Sequence, residues 1–131
     1  MKSLLDTSAY VALRRGHLLV SQAVRESEEL CFSMVVLGEI LFGFRNGSRY
    51  EENLKELEEF LAKPLVTLQV VTRTTADRYG RIASSLRRQG TPIPTNDIWI
   101  SAHVFEAGAE LLTLDDHFAV VPGLPFRRFL P

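Results

Sequence analysis

Short apolar runs alternate with longer stretches of helical periodicity along the whole chain, and that alternation constrains the fold more than any other feature. Lys2–Leu5, Leu30–Phe32, Val66–Val71 and Glu110–Leu114 read as strands, and Phe126–Phe129 as a candidate edge strand. Between them lie helical patterns. Thr7 or Ser8 can cap a helix toward Arg14, a second helix covers Leu18–Glu28, and Ser33 can cap Met34–Phe44. The turn Arg45-Asn46-Gly47-Ser48 leads into an amphipathic helix over Arg49–Ala62, whose Leu54, Leu57 and Leu61 share a face. Thr74 and Asp77 form a capping signal for a helix over Thr75–Gln89, with Gly90 as its stop. Pro92 and Pro94 keep Thr91–Asn96 out of a helix; the next runs from Asp97 to about Glu106 and ends at Gly108, and Asp115–Ala119 is a loop or a single turn. Strand and helix in alternation predict an α/β fold, a parallel sheet of four to five strands flanked by helices in a Rossmann-like three-layer arrangement.

The 131 residues suit one compact domain, 1–131, and 46% hydrophobic with 24% charged residues is the balance of an ordinary globular protein. A lone cysteine, Cys31, excludes an intrachain disulfide and reads as buried and inert. The apolar run at Leu4-Leu5 is too short for a signal peptide, and no stretch approaches the length of about 18 apolar residues that crosses a bilayer. A cytoplasmic location with no membrane contact is the expectation. The net charge of −1 does not point to a polyanionic partner. The distribution says more: Glu51–Glu59 holds five Glu against one Lys, and Arg73–Arg88 holds five Arg against one Asp. Arg73, Arg78, Arg81, Arg87 and Arg88 could contact phosphates, although solvated helix faces explain them equally well.

Parallel sheets bind ligands at the carboxyl ends of their strands, where strand order reverses. Four acids meet that condition. Asp6 follows the first strand, Glu39 lies about a turn and a half into the helix after the second, Asp97 opens the helix after the proline-rich loop, and Asp115 follows the fourth strand. Glu39 is the only polar side chain in the run Met34–Phe44; a helix that apolar is expected to be largely buried, with its carboxylate desolvated. Each acid alone has a plainer reading as a cap, a first-turn acid or half of an ion pair. Caps need not converge on one end of one sheet, however, and converging carboxylates repel unless a cation joins them. Oxygen ligands favour a hard ion, Mg2+ above all, and hence metal-assisted phosphodiester hydrolysis.

The segments Leu4-Leu5-Asp6-Thr7-Ser8, Gly38-Glu39-Ile40, Pro94-Thr95-Asn96-Asp97-Ile98-Trp99-Ile100-Ser101-Ala102-His103 and Leu112-Thr113-Leu114-Asp115-Asp116-His117-Phe118 resemble the motifs of PIN-domain nucleases. They look most like the VapC group, the toxin halves of VapBC toxin–antitoxin pairs. The resemblance implies Mg2+ or Mn2+ in an acidic pocket and endonucleolytic cleavage of RNA, such as a tRNA or a ribosomal RNA loop. It implies that Asp6, Glu39, Asp97 and Asp115 are the catalytic, metal-holding acids. Ser8, Asn96 and Thr113 match supporting positions, and Asp116 is kept as auxiliary to Asp115. It also implies a homodimer and a small VapB-type antitoxin. Phe42, Phe44, Leu13 and Leu18 could line a groove for an antitoxin helix, but core positions are the simpler reading.

His17, His103 and His117 form no metal-ligand spacing with one another or with Cys31; His117 is close enough to Asp115 to touch substrate, but a surface residue is the simpler reading, and Trp99 reads as core. A receiver domain would need a late lysine, and the last here is Lys63. A haloacid-dehalogenase-type phosphatase would need an acid where Ser8 stands. A PIN-fold module that binds RNA or a partner without cutting is the remaining alternative.

Overall fold

The computed structural model describes residues 1–131. Its strands are β1 (Lys2–Leu5), β2 (Glu29–Ser33), β3 (Val66–Gln69), β4 (Glu110–Thr113) and β5 (Phe126–Arg128); its helices are α1 (Thr7–Arg14), α2 (Leu18–Glu26), α3 (Met34–Arg45), α4 (Tyr50–Leu61), α5 (Arg73–Gln89) and α6 (Thr95–Ala107). A 3-10 turn spans Asp116–Val120. The five strands form one parallel sheet in the order β3-β2-β1-β4-β5. The α/β expectation therefore holds, with all five strands present.

The core follows from the central strands. Leu4, Leu5, Leu30, Phe32, Leu111 and Leu112 are buried, as they must be where both faces of a parallel sheet are covered. Tyr10 and Phe60 pack edge-on against each other and lie over Phe32, fixing α1 and α4 on the sheet. Cys31 is buried, as anticipated. No helix is long and apolar enough to cross a membrane.

Three helix starts differ from the sequence reading. Asp6, rather than Thr7 or Ser8, is the N-cap of α1, because its Oδ1 accepts from the Ala9 amide at 2.8 Å. Helix α5 starts at Arg73: Thr72 and Thr75 form the reciprocal capping box, and Asp77 instead pairs with Arg81 at 2.9 Å. Helix α6 includes Thr95 and Asn96, since proline restricts the residue before it and Pro94 itself serves as the extended cap. Strand β3 ends at Gln69, leaving Val70 and Val71 exposed in the connection to α5.

The largest departure concerns α3. Only Val36 and Ile40 of this helix are buried, whereas Met34 is 40% and Phe42 70% exposed. Its apolar sequence thus covers a core stripe and an open surface together. Leu18 is likewise exposed, at 82%, while Phe44 and Leu13 pack against the core as expected.

Candidate active site

The chain goes from β1 outward to β2 and β3, then returns to place β4 on the other side of β1. Strand order therefore reverses between β1 and β4, and the segments leaving these two strands diverge to open a cleft at the carboxyl edge. Asp6 leaves β1 at that point and Asp115 leaves β4. The register pairs Leu5 with Leu112, so Asp6 lies beside Thr113.

Asp6 is the fixed point of the cleft. It is 5% exposed; its Oδ1 accepts from Ser8 Oγ at 2.6 Å besides capping α1, and its Oδ2 accepts from Thr113 Oγ1. Ser8 Oγ also accepts from the Leu114 amide at 2.9 Å, and Thr113 Oγ1 from the Asp115 amide at 2.9 Å. Two hydroxyls thus tie the carboxylate to the backbone that leads to Asp115. Burial raises the Asp6 carboxyl above its ordinary range; the three donors pull it down, and the charge of Asp115 pushes it up again.

Asp97 occupies the third position of α6, where the helix dipole favours an acid. Burial nevertheless raises its pKa, opposed by the hydrogen bond from His117 and supported by the charges of Asp115 and Glu39. Asp115 caps the 3-10 turn through Oδ1, which accepts from the His117 amide at 2.9 Å, leaving Oδ2 toward the cleft. Glu39 is half-buried on α3; Thr7 Oγ1 donates to its Oε1 at 2.5 Å and Asn96 Nδ2 to its Oε2 at 3.2 Å. The acids therefore form one electrostatic chain, Asp6 to Asp115 to Asp97 to Glu39. None of the four pairs with a lysine or arginine. Asp116 lies outside this chain, exposed in the first turn of the 3-10 segment.

His117, whose closeness to Asp115 the sequence shows, reaches the cleft, and Thr7, which the sequence offers only as a cap, reaches Glu39. His117 Nδ1 lies 3.1 Å from Asp97 Oδ2 and 3.2 Å from Asp115 Oδ2, and the three residues are grouped closely enough to share an ion. Half-exposed, it is a surface residue in one sense, but its ring belongs to the cleft. Its spacing of two from Asp115 was the available signal. Trp99 is half-buried rather than core, stacked on Tyr79 at 4.2 Å between centroids. His103 is fully buried, tied to Ser33 Oγ at 2.8 Å and to the Val70 carbonyl at 3.1 Å.

A parallel sheet reversing at an acid-lined cleft defines a class of small α/β nucleases, and the chain belongs to the PIN-domain family, whose model matches residues 3–124. Within that class it is similar to Ribonuclease VapC2 of Haemophilus influenzae, 30% identical over 86% of each chain. It is 27% identical, over 95% of each chain, to the tRNA(fMet)-specific endonuclease VapC of Salmonella typhimurium. Its fold matches that of VapBC2 from Rickettsia felis, a structure bound to promoter DNA, with a TM-score of 0.86, 22% identity and coverage of 98% and 99% of the two chains.

Proposed function

We propose that the chain is a metal-dependent endoribonuclease, the toxin of a type II toxin–antitoxin pair, acting in the cytoplasm as a single PIN unit over residues 1–131. The observation that carries this reading is the approach of Asp97 and Asp115, with Asp6 and Glu39 electrostatically coupled to them, from four separate segments at the strand-order reversal without a lysine or arginine partner. The VapC relatives support the same reading, since their names describe ribonucleases.

The donor set fits a divalent ion. Its oxygens are carboxylates, and burial above all, with the neighbouring acids adding to it, holds Asp6 and Asp97 above the ordinary carboxyl range, a cost that a bound cation would offset. Asp6, Glu39, Asp97 and Asp115 would hold Mg2+ or Mn2+, which when bound would activate water and offset charge on a phosphodiester. Ser8 and Thr113 act as positioning residues that fix both oxygens of Asp6. Thr7 and Asn96 do the same for Glu39, so that each carboxylate is oriented before substrate arrives. Arg73, Arg78, Arg81, Arg87 and Arg88, all exposed along α5, are candidates for phosphate contacts.

The exposed side of α3 supplies a surface for the VapB-type antitoxin. Met34 and Phe42 share a cleft with Glu39 and Asn96, so a helix docked there would cover the acids. A homodimer completes the expected assembly. Brief expression of the chain alone, followed by sequencing of RNA ends, tests the reading. Growth arrest with discrete new ends in one RNA class, both abolished by Asp97→Asn, is the expected outcome. Harmless expression with an unchanged RNA profile would favour the binding module without catalysis.

A further inference from the structure

We infer that His117 is a nitrogen ligand of the divalent ion and makes this pocket prefer a first-row transition ion to Mg2+. The inference rests on the proposed metal-holding role of the acids and adds a residue and a selectivity to it. Nδ1 of His117 lies 3.1 Å from Asp97 Oδ2 and 3.2 Å from Asp115 Oδ2, and all three donor atoms fall within 4.8 Å of one another. Adjacent ligands at right angles on an ion with bonds of about 2.1 Å stand roughly 3.0 Å apart. The ring, held by its hydrogen bond to Asp97, thus stands at a separation that two shared coordination edges can also take once the Nδ1 proton is given up.

The backbone holds it there. The His117 amide donates to Asp115 Oδ1, so one oxygen of this carboxylate caps the turn while the other faces the ring it carries. Phe118, 1% exposed, pins the same turn into the core. With the ring itself half-exposed, its orientation is set by Nδ1 contacts with Asp97 and Asp115 rather than by packing. Carboxylate oxygen suits Mg2+ and Mn2+ alike, whereas imidazole nitrogen is a poor ligand for Mg2+ and a good one for transition ions. One nitrogen among these oxygens therefore separates ions that an all-carboxylate pocket would treat nearly alike.

The competing role for His117 is that of a charged ring offsetting the Asp97–Asp115 pair and vacating the pocket when an ion enters. Removing a ligand weakens ion binding; removing a competing cation strengthens it. The test uses metal-free full-length protein titrated by calorimetry with Mn2+ and, separately, with Mg2+, as wild type, His117→Ala and His117→Gln. Pulsed electron paramagnetic resonance of the Mn2+ complex reads nitrogen coupling directly in the wild type, without dependence on a variant's folding. Labelling histidine with 15N assigns that signal, because both ring nitrogens of His103 are engaged in the core and those of His17 are engaged by the Val20 amide and the Leu130 carbonyl.

We expect histidine coupling in the wild type and none in either variant. The variants should lose about tenfold or more in Mn2+ affinity and far less in Mg2+ affinity. Mn2+ bound without histidine coupling, or variants that bind Mn2+ as tightly as the wild type or more so, would overturn the ligand role and leave the acidic centre standing. If the wild type binds neither ion, the metal-dependent reading fails together with this one.

Discussion

At the scale of single residues, the cleft divides into groups that would meet an ion and groups that hold them. Ser8 donates to Asp6 and accepts from the Leu114 amide, so its hydroxyl serves two partners in a half-buried site. Ser8→Ala should destabilise the fold by about 1–2 kcal/mol, read by denaturant unfolding, and weaken ion binding by roughly tenfold, read by calorimetry. The raised carboxyls of Asp6 and Asp97 predict a pH dependence of definite sign. A carboxyl whose folded pKa exceeds its unfolded one adds stability below the unfolded pKa, and that contribution is lost as pH rises through the folded value. Metal-free protein should therefore gain stability, relative to its other acids' behaviour, as pH falls from neutrality into the carboxylate range. Asp97→Asn should flatten that gain and raise the melting temperature of metal-free protein at neutral pH. A lower melting temperature for the variant would contradict a desolvation cost for the Asp97 carboxylate. Asp6, Asp97 and Asp115 were legible in the sequence because each ends a strand or begins a helix. His117 was legible only as a neighbour of Asp115, because its contact with Asp97 depends on the 3-10 turn that follows Asp115.

At the scale of elements, the informative helices are α3 and α6, which bring Glu39 and Asp97 to the cleft. They are joined through a buried chain. The Val35 amide donates to Ser33 Oγ, the Ser33 hydroxyl donates to His103 Nδ1, and His103 Nε2 donates to the Val70 carbonyl. The carbonyl can only accept, and this fixes the tautomer. His103→Phe leaves the Val70 carbonyl and the Ser33 hydroxyl without their partner, and should cost about 2–4 kcal/mol in unfolding experiments. Helix α3 also shows where pattern reading stops. An apolar sequence does not say whether the chain's own core or another molecule does the covering, and Phe42, 70% exposed, is not covered by the chain's own core. Phe42→Asp should change stability by no more than about 0.5 kcal/mol while weakening antitoxin binding by on the order of 2 kcal/mol or more, read by unfolding and by calorimetry with the purified partner. Helix α5 was misread at its start because Thr74 and Asp77 mimic a capping box, whereas the pair that closes it is Thr72 and Thr75.

At the scale of the whole molecule, the alternation of strand and helix specified the parallel sheet, and the order β3-β2-β1-β4-β5 puts the reversal between β1 and β4. Sequence alone left that order open, since alternation does not say on which side of β1 the fourth strand lands. Charge is also arranged at this scale: acids line the carboxyl edge, while the arginines lie along α5. If those arginines hold RNA, affinity must fall steeply with salt, and replacing Arg78 and Arg87 with Ala should lower the slope of log affinity against log salt by roughly one for each phosphate no longer neutralised. An unchanged slope would assign these residues to solvent. The account as a whole turns on whether the four carboxylates act by holding an ion. Its most direct measurement is cleavage of a defined RNA by purified protein, as wild type and as Asp97→Asn, across a titration of Mg2+ or Mn2+ begun in excess EDTA. The account predicts no cleavage in EDTA, recovery as the ion is added, and at least about a hundredfold loss in a variant that remains folded. Full activity in EDTA, or an unimpaired Asp97→Asn, would contradict it.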